Sequence, residues 1–361
     1  MILRRLHLRD FRNYAQLELK LSEQNNFFTG KNAHGKSNLL EAIYVLAVTR
    51  SFRSGNEKEL MRLGGEGYEV TGEFSNELGV KHLATICCDA LNGKQMSLDR
   101  KRWSSMQWVG KFPVVLFSPE SHKITSGSPA ERRRFVDMLL CQSAPAYLAD
   151  LMEYNRILRQ RNVLLAANAT SGKDFTAWTQ ALALFGCRVV AARFQLLEDY
   201  APALHQAYTH IAGSPSPFRI FYRTRFESTQ TTPERFLGLL QEARPHEERR
   251  KRTLIGPHLD DFEFSVAGKD LRQYGSRGEQ KTALLALKWA EAEYLKNKTG
   301  TTAMILIDDL PSELDAGRLQ HTIDCFAGRG QLFITAVMKI DRQMNHGHHF
   351  EIDEGEVRRV H

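Results

Sequence analysis

The sequence predicts an α/β fold of two lobes, in which a mixed β-sheet is interrupted by a helical insertion. Residues 26–29 have the pattern of a short strand that enters a glycine-rich loop and then an amphipathic helix. Residues 130–204 are rich in Leu, Ala, Arg and Gln with few Gly or Pro, which is typical of long helices. Residues 304–307 are an apolar strand followed by two aspartates, so strands return after the helices.

Strands dominate the predicted N-terminal part. Leu17, Leu19 and Leu21 alternate with polar residues, and residues 80–86 show the same period of two. The exception is the helix predicted at residues 37–48, whose apolar residues form one stripe, as expected of a helix buried against a sheet.

The helical part separates two halves of the sheet lobe. Residues 213–217 contain two prolines and read as a loop, and strands are predicted at 218–222, at 261–264 and, as the last buried strand, at 331–337. We therefore assign three segments: the first half of lobe I at 1–120, the helical lobe II at 121–212, and the return to lobe I at 213–361.

Composition is that of an ordinary globular chain. The 361 residues are 42% hydrophobic and 25% charged, and the net charge of +7 mildly favours an anionic partner. The first residues lack the apolar core of a signal peptide, and no run reaches the roughly 18 apolar residues of a membrane span. Five cysteines without metal-type spacing favour a reducing compartment, so we expect a cytoplasmic protein.

Residues 30–37, GKNAHGKS, match the phosphate-binding pattern GxxxxGKS. In that motif backbone N–H groups and the helix N-terminus surround the phosphates, the lysine contacts the β- and γ-phosphates, and the serine hydroxyl ligates Mg²⁺. The predicted ATP contacts here are Gly30, Lys31, Asn32, Ala33, His34, Gly35, Lys36, Ser37 and Asn38, with Lys36 also catalytic and Ser37 also a metal ligand.

Two aspartates follow the apolar strand at 304–307. Asp308 stands at the carboxyl end of that strand, where α/β folds place ligand chemistry, and is the predicted second Mg²⁺ ligand. Asp309 is the predicted catalytic residue that orients the attacking water. Alternatively, the two aspartates have no functional role and only solvate or cap the end of the strand.

Residues 276–280, SRGEQ, precede a helix with apolar positions at helical spacing. Ser276 and Glu279 fit a capping box. The Arg277–Gly278 pair is not explained by capping, and a hydroxyl, a glycine and a helix N-terminus together can hold a phosphate. We predict a second phosphate-binding element at these residues.

The three motifs in this order resemble those of ABC-type ATPases of the SMC/Rad50 class and, within it, the RecF family of bacterial recombination mediators. The resemblance covers almost the entire chain. The further stretches that carry it are LRDFRNY at 8–14, TRSFR at 49–53, FSPESHKITSGSPAERRRFVD at 117–137, YNRILRQRNVLL at 154–165 and GPHLDDFEF at 256–264.

The resemblance implies an ABC head without a long coiled coil that forms a head-to-tail homodimer on ATP. Ser276, Arg277, Gly278 and Glu279 would then face the nucleotide of the partner copy, and Arg12 and Asn13 would lie near the nucleotide or merely end a strand. Residues 312–315 correspond to the D-loop at that interface. The resemblance further implies binding of double-stranded DNA and of single-strand/duplex junctions at gaps, together with RecR and RecO, to load recombinase during repair.

Several features depart from the related ATPases or leave alternatives open. Pro311 puts the D-loop geometry in question. The glutamine and switch histidine of transporter ATPases are missing, which predicts slow hydrolysis and opposes a transporter role. A P-loop ATPase with a non-DNA partner or a small-molecule phosphotransferase remains the alternative. Candidate DNA contacts, or else solvated helix faces, are Arg132, Arg133, Arg134, Arg156, Arg159 and Arg161, and the charged residues 247–252 read as a solvated segment.

Overall fold

The computed structural model describes residues 1–76, 78–213, 216–228, 231–309, 323–337 and 347–360. The chain forms two compact units. The first comprises Met1–His122 and Leu287–His361, and the second comprises Lys123–Ala286.

The elements of the first unit alternate between strands and one main helix. Before the second unit they are β1 (Ile2–Phe11), β2 (Tyr14–Lys20), β3 (Asn25–Thr29), α1 (Lys36–Val48), β4 (Gly67–Ser75), β5 (Lys81–Asp89), β6 (Gly93–Leu98), β7 (Lys101–Arg102), α2 (Ser105–Trp108) and β8 (Val114–Phe117). The elements of the second unit are α3 (Lys123–Ser126), α4 (Pro129–Ser143), α5 (Pro145–Ala166), α6 (Lys173–Ala212), β9 (Phe218–Arg223), α7 (Pro233–Arg250), β10 (Asp261–Val266), β11 (Lys269–Asp270) and α8 (Leu271–Tyr274). Helix α9 (Arg277–Thr299) begins in the second unit and ends in the first, followed by β12 (Met304–Ile307), β13 (Leu332–Ala336), β14 (His348–Asp353) and β15 (Glu356–Arg359).

Two sheets form the first unit. One is antiparallel, in the order β2-β1-β4-β5-β6-β7, and the other has the order β15-β14-β3-β13-β12-β8, in which all neighbours are parallel except the β14–β15 pair. Helix α1 contacts strands of both sheets. This position explains why α1 is buried nearly all round rather than along one stripe.

A buried glutamine connects the two sheets. The Gln331 amide accepts a hydrogen bond from the Leu3 N–H at 2.8 Å and donates to the Leu3 carbonyl at 2.8 Å and to the Ser22 carbonyl at 2.6 Å. The side chain is 4% exposed, so its polar atoms need these partners.

Buried ion pairs organise the second unit, where α5, α6 and α7 pack together and β9 pairs with β10. Arg161 of α5 donates to the Glu247 carboxylate at 2.6 Å, and Arg193 of α6 donates to Asp137 at 2.8 Å. By length and composition alone, α6 could cross a membrane. In this unit α6 packs against α5, α7 and β9, and apolar residues such as Leu182, Val189 and Leu196 are buried.

Most predicted elements are confirmed, including α1, the helices from residue 130, β9, β10 and β12. Two further expectations differ from the structure. The strand at 331–337 is not the last, since β14 and β15 follow it. Helix α7 was not predicted, and within the segment 247–252 Glu247 is fully buried rather than solvated. The second compact unit ends at residue 286, because β9 and β10 pack with the helices, while the lobe division at 120 and 212 stays a prediction.

Candidate functional site

The glycine-rich loop connects β3 to α1, as the motif requires. Two of its glycines have no room for a side chain. A Cβ at Gly30 would lie 2.2 Å from the Ile352 carbonyl oxygen, and one at Gly35 would lie 2.6 Å from the Asn13 amide nitrogen. Gly35 also has φ 114° and is the N-cap residue of α1, so glycine is needed there for both conformation and space.

Lys36 is the first residue of α1, and its side chain contacts the loop. Its Nζ donates to the Gly30 carbonyl at 2.8 Å and to the Lys31 carbonyl at 2.7 Å. Burial lowers the pKa of Lys36 from its ordinary value, and the carboxylates of Asp309 and Asp308 oppose that shift. The ammonium group is therefore near both aspartates that sequence reasoning selected.

The loop and the end of β12 meet at Ser37 and Asp308. Strands β3, β13 and β12 are parallel neighbours, so their carboxyl ends lie at one edge of the sheet. Ser37 hydrogen-bonds Asp308, a carboxylate that is 5% exposed and whose pKa is raised by burial, with the hydrogen bond opposing the shift. The structure thus brings together the two residues predicted to hold Mg²⁺.

Thr335 at the end of β13 connects the two aspartates. Its hydroxyl donates to Asp308 Oδ1 at 2.9 Å and accepts from the Asp309 N–H at 2.7 Å. Asp309 has φ 42°, an unusual conformation for a residue other than glycine. The hydrogen bond from its N–H fixes the backbone at this position.

Arg12 and Asn13 lie beside α1 and belong to one polar network. The Arg12 guanidinium donates two hydrogen bonds to Glu41, at 2.8 and 2.7 Å, and Glu41 is fully buried. Asn13 accepts from the Asn38 amide at 2.8 Å, and Arg53 donates to Asn38 Oδ1 at 2.7 Å. The network holds these side chains along the start of α1.

A groove of about 1270 Å³ opens next to this network. Arg12, Asn13, Asn38 and Arg53 line the side nearest α1, and residues 57–59, 61–66 and 88–91 line the rest. Its volume is more than sufficient for a small organic ligand.

The SRGEQ stretch lies in the second unit, at the start of α9. Glu279 accepts a hydrogen bond from the Ser276 N–H at 2.8 Å, and the Ser276 hydroxyl accepts from the Glu279 N–H at 3.2 Å, so the capping box is confirmed. Ser276, Arg277, Gly278 and Glu279 are all exposed. A Cβ at Gly278 would meet only the Ser276 hydroxyl, at 3.9 Å, so packing does not require glycine there.

Comparison with known proteins identifies the family. The model of the RecF/RecN/SMC N terminal domain matches residues 2–349. The DNA replication and repair protein RecF of Lacticaseibacillus paracasei is 39% identical over an alignment of 348 positions that covers 93% of this chain and 92% of that protein. This chain belongs to the RecF family. The RecF of Staphylococcus aureus is 36% identical over an alignment of 371 positions that covers 99% of this chain and 100% of that protein.

Solved structures agree with this assignment. A structure described as the recombination mediator protein RecF-ATPrS in the RecFOR pathway superposes with a TM-score of 0.91 at 29% identity, covering 99% of this chain and 98% of that one. An Smc head bound to the C-winged helix domain of ScpA has a TM-score of 0.57 at 14% identity, covering 100% and 97%, and shows the fold alone. The ABC-type head predicted from the motifs is confirmed.

The structure corrects two candidate DNA contacts of this RecF-family chain. Arg132 is 3% exposed and forms a bidentate pair with Asp261 at 2.7 and 2.9 Å. Arg161 is 1% exposed and pairs with Glu247. Neither guanidinium can face DNA without breaking a buried pair. Arg134, Arg156 and Arg159 are exposed, whereas Arg133 is partly buried and donates to the Asp260 carbonyl at 2.6 Å.

Several site residues were not among the predicted ones. Thr335, Glu41 and Arg53 hold the predicted residues in place. Arg53 has a sequence signal, since it belongs to the TRSFR stretch that carries part of the resemblance. The predicted D-loop residues Ser312, Glu313, Leu314 and Asp315, and the preceding Pro311, lie outside the described residues.

Proposed function

We propose that this chain binds ATP and Mg²⁺ at the glycine-rich loop and uses slow ATP hydrolysis as a switch for DNA binding in recombinational repair. The observation that carries the proposal is the convergence of Lys36, Ser37 and Asp308 at one sheet edge. Solved RecF structures described as RecF-ATP and RecF-ATPrS support it, as do curated relatives described as DNA replication and repair proteins.

The Ser37 hydroxyl and the Asp308 carboxylate offer the hard oxygen ligands that Mg²⁺ prefers. Bound there, the ion would neutralise developing negative charge on the phosphates. Lys36 is placed to contact the β- and γ-phosphates in exchange for the two loop carbonyls that it now contacts. Asp309, with its backbone fixed by Thr335, orients the attacking water.

The groove beside α1 is proposed to receive the base and ribose of ATP. Its walls include Arg12 and Asn13, the two residues that the family resemblance places near the nucleotide. Arg12 already holds Glu41 with both arms of its guanidinium, so it acts there through a fixed geometry rather than a flexible one.

Dimerisation is proposed to bring the SRGEQ stretch of one copy to the γ-phosphate bound to the other. The exposure of Ser276, Arg277, Gly278 and Glu279 supports a role toward an external ligand. Gly278 supports it further, since nothing inside the chain fills the space of its missing side chain. The Glu279 carboxylate lies 2.8 Å from the Ser276 hydroxyl, so the hydroxyl must turn from this carboxylate to reach a phosphate.

We further propose that the chain acts in the cytoplasm on double-stranded DNA and on junctions at gaps, with RecO and RecR as partners in loading recombinase. The net charge of +7 favours a polyanion, and Arg134 and Arg159 are exposed cations available for phosphate contacts. The two halves of lobe I, at 1–120 and 213–361, with lobe II at 121–212 between them, remain the proposed architecture.

Two substitutions test the nucleotide switch. Lys36→Ala is expected to abolish ATP binding, because it removes the cation that contacts the phosphates. Asp309→Asn is expected to keep ATP binding but stop hydrolysis, so the dimer persists. Calorimetric titration with ATP and light scattering with and without ATP measure the two effects. Dimers that form without ATP in both variants would contradict the proposal.

A further inference from the structure

We propose that the β14–β15 hairpin is a clasp that holds the glycine-rich loop in its phosphate-binding conformation, with His34 as the positioning residue. The clasp consists of Asp353, which is the last residue of β14, and of Glu354 and Gly355, which form the turn of the hairpin. The inference rests on the proposed function, since it takes residues 30–37 as the phosphate-binding loop.

His34 contacts the clasp through both its backbone and its ring. The Gly355 N–H donates to the His34 carbonyl at 3.2 Å. On the ring, His34 Nδ1 lies 2.9 Å from Asp353 Oδ1 and 3.2 Å from the Glu354 backbone nitrogen. The nitrogen donates to the carboxylate when it carries a proton and accepts from the Glu354 N–H when it does not, so it makes one of these hydrogen bonds at a time. The Asn13 amide adds a longer contact, donating to the His34 carbonyl at 3.3 Å. One loop residue therefore meets every residue of the turn.

The hairpin is built to reach the loop. Strand β14 runs parallel to β3, with Glu351 opposite Thr29, so the chain leaves both strands at the same edge of the sheet. Asp353 pairs with Glu356, which leaves a two-residue turn with φ 46° at Glu354 and 88° at Gly355. Positive φ at both positions is the tight type I′ hairpin turn, a rigid connection.

The loop conformation needs external support. Ala33 has φ 68°, a left-handed conformation that is strained for alanine. Strained residues persist where surrounding contacts over-determine them. The contacts on the next residue, His34, come from the clasp and from Asn13. The loop also contacts the hairpin at its first residue, since Gly30 packs closely against the Ile352 carbonyl of β14.

The partners of His34 suggest a matched pair of variants. The ring nitrogen faces one donor, the Glu354 N–H, and one acceptor, the Asp353 carboxylate. A glutamine side chain carries both an acceptor and a donor and can make either contact, whereas alanine can make neither. His34→Gln and His34→Ala therefore differ in the clasp contacts and share the loss of the imidazole.

The test compares the two variants by titration with a fluorescent ATP analogue and by hydrogen exchange of the loop amides without nucleotide. His34→Ala is expected to lower the affinity for the analogue about tenfold, which is the effect of losing a hydrogen bond that orders the loop. We expect KM to rise more than kcat falls, and the amides of residues 31–35 to exchange faster. His34→Gln is expected to bind the analogue more tightly than His34→Ala and to protect the loop amides better, because it regains a contact with the clasp.

Glu356→Gln is the control, because Glu356 is exposed on the same hairpin and pairs with Arg358 of β15 at 2.7 Å. Parent-like thermal melting in all variants would confirm that they fold. Unchanged analogue affinity and unchanged loop exchange in His34→Ala would overturn the clasp. If the parent itself binds no nucleotide, the proposed function fails, while the exchange of the loop amides still decides whether the clasp exists.

Discussion

At the scale of single residues, the position of Thr335 explains how two adjacent aspartates have different environments. Its hydroxyl donates to the carboxylate of Asp308 and accepts from the backbone of Asp309. Asp308 is thereby held inside, near Ser37, while the Asp309 backbone keeps a positive φ. We attribute the separation of the proposed metal ligand from the proposed water-orienting carboxylate to this hydroxyl.

Replacing Thr335 by valine keeps the shape and removes both hydrogen bonds. We expect the kcat for ATP hydrolysis to fall about tenfold, the effect of losing one to two hydrogen bonds worth ~1 kcal/mol each, with little change in the affinity for ATP. Thr335→Ser keeps the hydroxyl and should recover most of the rate. Steady-state kinetics with calorimetric ATP binding measure both quantities. A valine variant with parent kcat would show that the aspartates need no such support.

The sequence could predict the aspartates but not the threonine. Asp308 follows an apolar strand and a P-loop is present upstream, so its role has a local signal. The role of Thr335 depends on β13 lying between β3 and β12, a parallel neighbour relation that is fixed only by the fold. Glu41 is similar, because its partner Arg12 comes from a distant turn.

At the scale of elements, the second unit is held by polar contacts between segments far apart in the chain. His258 follows α7. Its Nδ1 accepts a hydrogen bond from the Tyr154 hydroxyl of α5 at 2.6 Å, and its Nε2 lies 3.4 Å from the Thr253 carbonyl. These partners suit a neutral ring that accepts at Nδ1 and donates at Nε2. Burial lowers the pKa of His258 to about 4, and the nearby guanidinium groups add to the shift.

Because of this histidine, we expect the folded protein to lose stability in mild acid. Its pKa is about 6.5 in the unfolded chain and lower in the folded one, so between these values the unfolded chain binds more protons and folding weakens as the pH falls. From pH 7 to pH 5 we expect His258 to contribute a loss of about 2 kcal/mol. The free energy of unfolding in urea should therefore fall less in His258→Gln than in the parent.

The exposed His246 of α7 gives the control, and His246→Gln should keep the full acid effect. Burial raises the pKa of Asp260, so this residue makes folding more favourable as the pH falls, opposite to His258. The contribution of Asp260 is the same in every variant and cancels when their free energies of unfolding are compared. Equal losses in the parent and in His258→Gln would contradict the assignment.

The elements that sequence reasoning missed have physical causes. Helix α7 contains Pro245 and mixed charges, both of which hide a helical pattern. Glu247 is buried because Arg161 and the Leu254 N–H pair with its carboxylate. Strands β14 and β15 are short, and their place depends on pairing with β3 more than 300 residues earlier in the chain, as in the 321-residue separation of Thr29 and Phe350. Long, strongly periodic segments such as α5 and α6 were predictable from local pattern alone.

At the scale of the whole molecule, the predicted ATP-contacting motifs are divided between two compact units. The glycine-rich loop and both aspartates belong to the first unit, and the SRGEQ stretch belongs to the second. Helix α9 is the continuous element that begins at SRGEQ and ends in the first unit. In the proposed dimer each nucleotide would contact the first unit of one copy and the second unit of the other, so hydrolysis would release the two copies together.

The most direct test of an ATP-gated DNA-binding protein is the anisotropy of a labelled gapped duplex titrated with this chain at one salt concentration, in ATP and in ADP. Fixed salt is essential, because a modest change in salt shifts such affinities by orders of magnitude. We expect tighter binding in ATP, by about 5- to 150-fold if the nucleotide couples to DNA by about 1–3 kcal/mol, and no such difference in Lys36→Ala. Equal affinity in ATP and ADP, or no binding in either, would contradict this expectation.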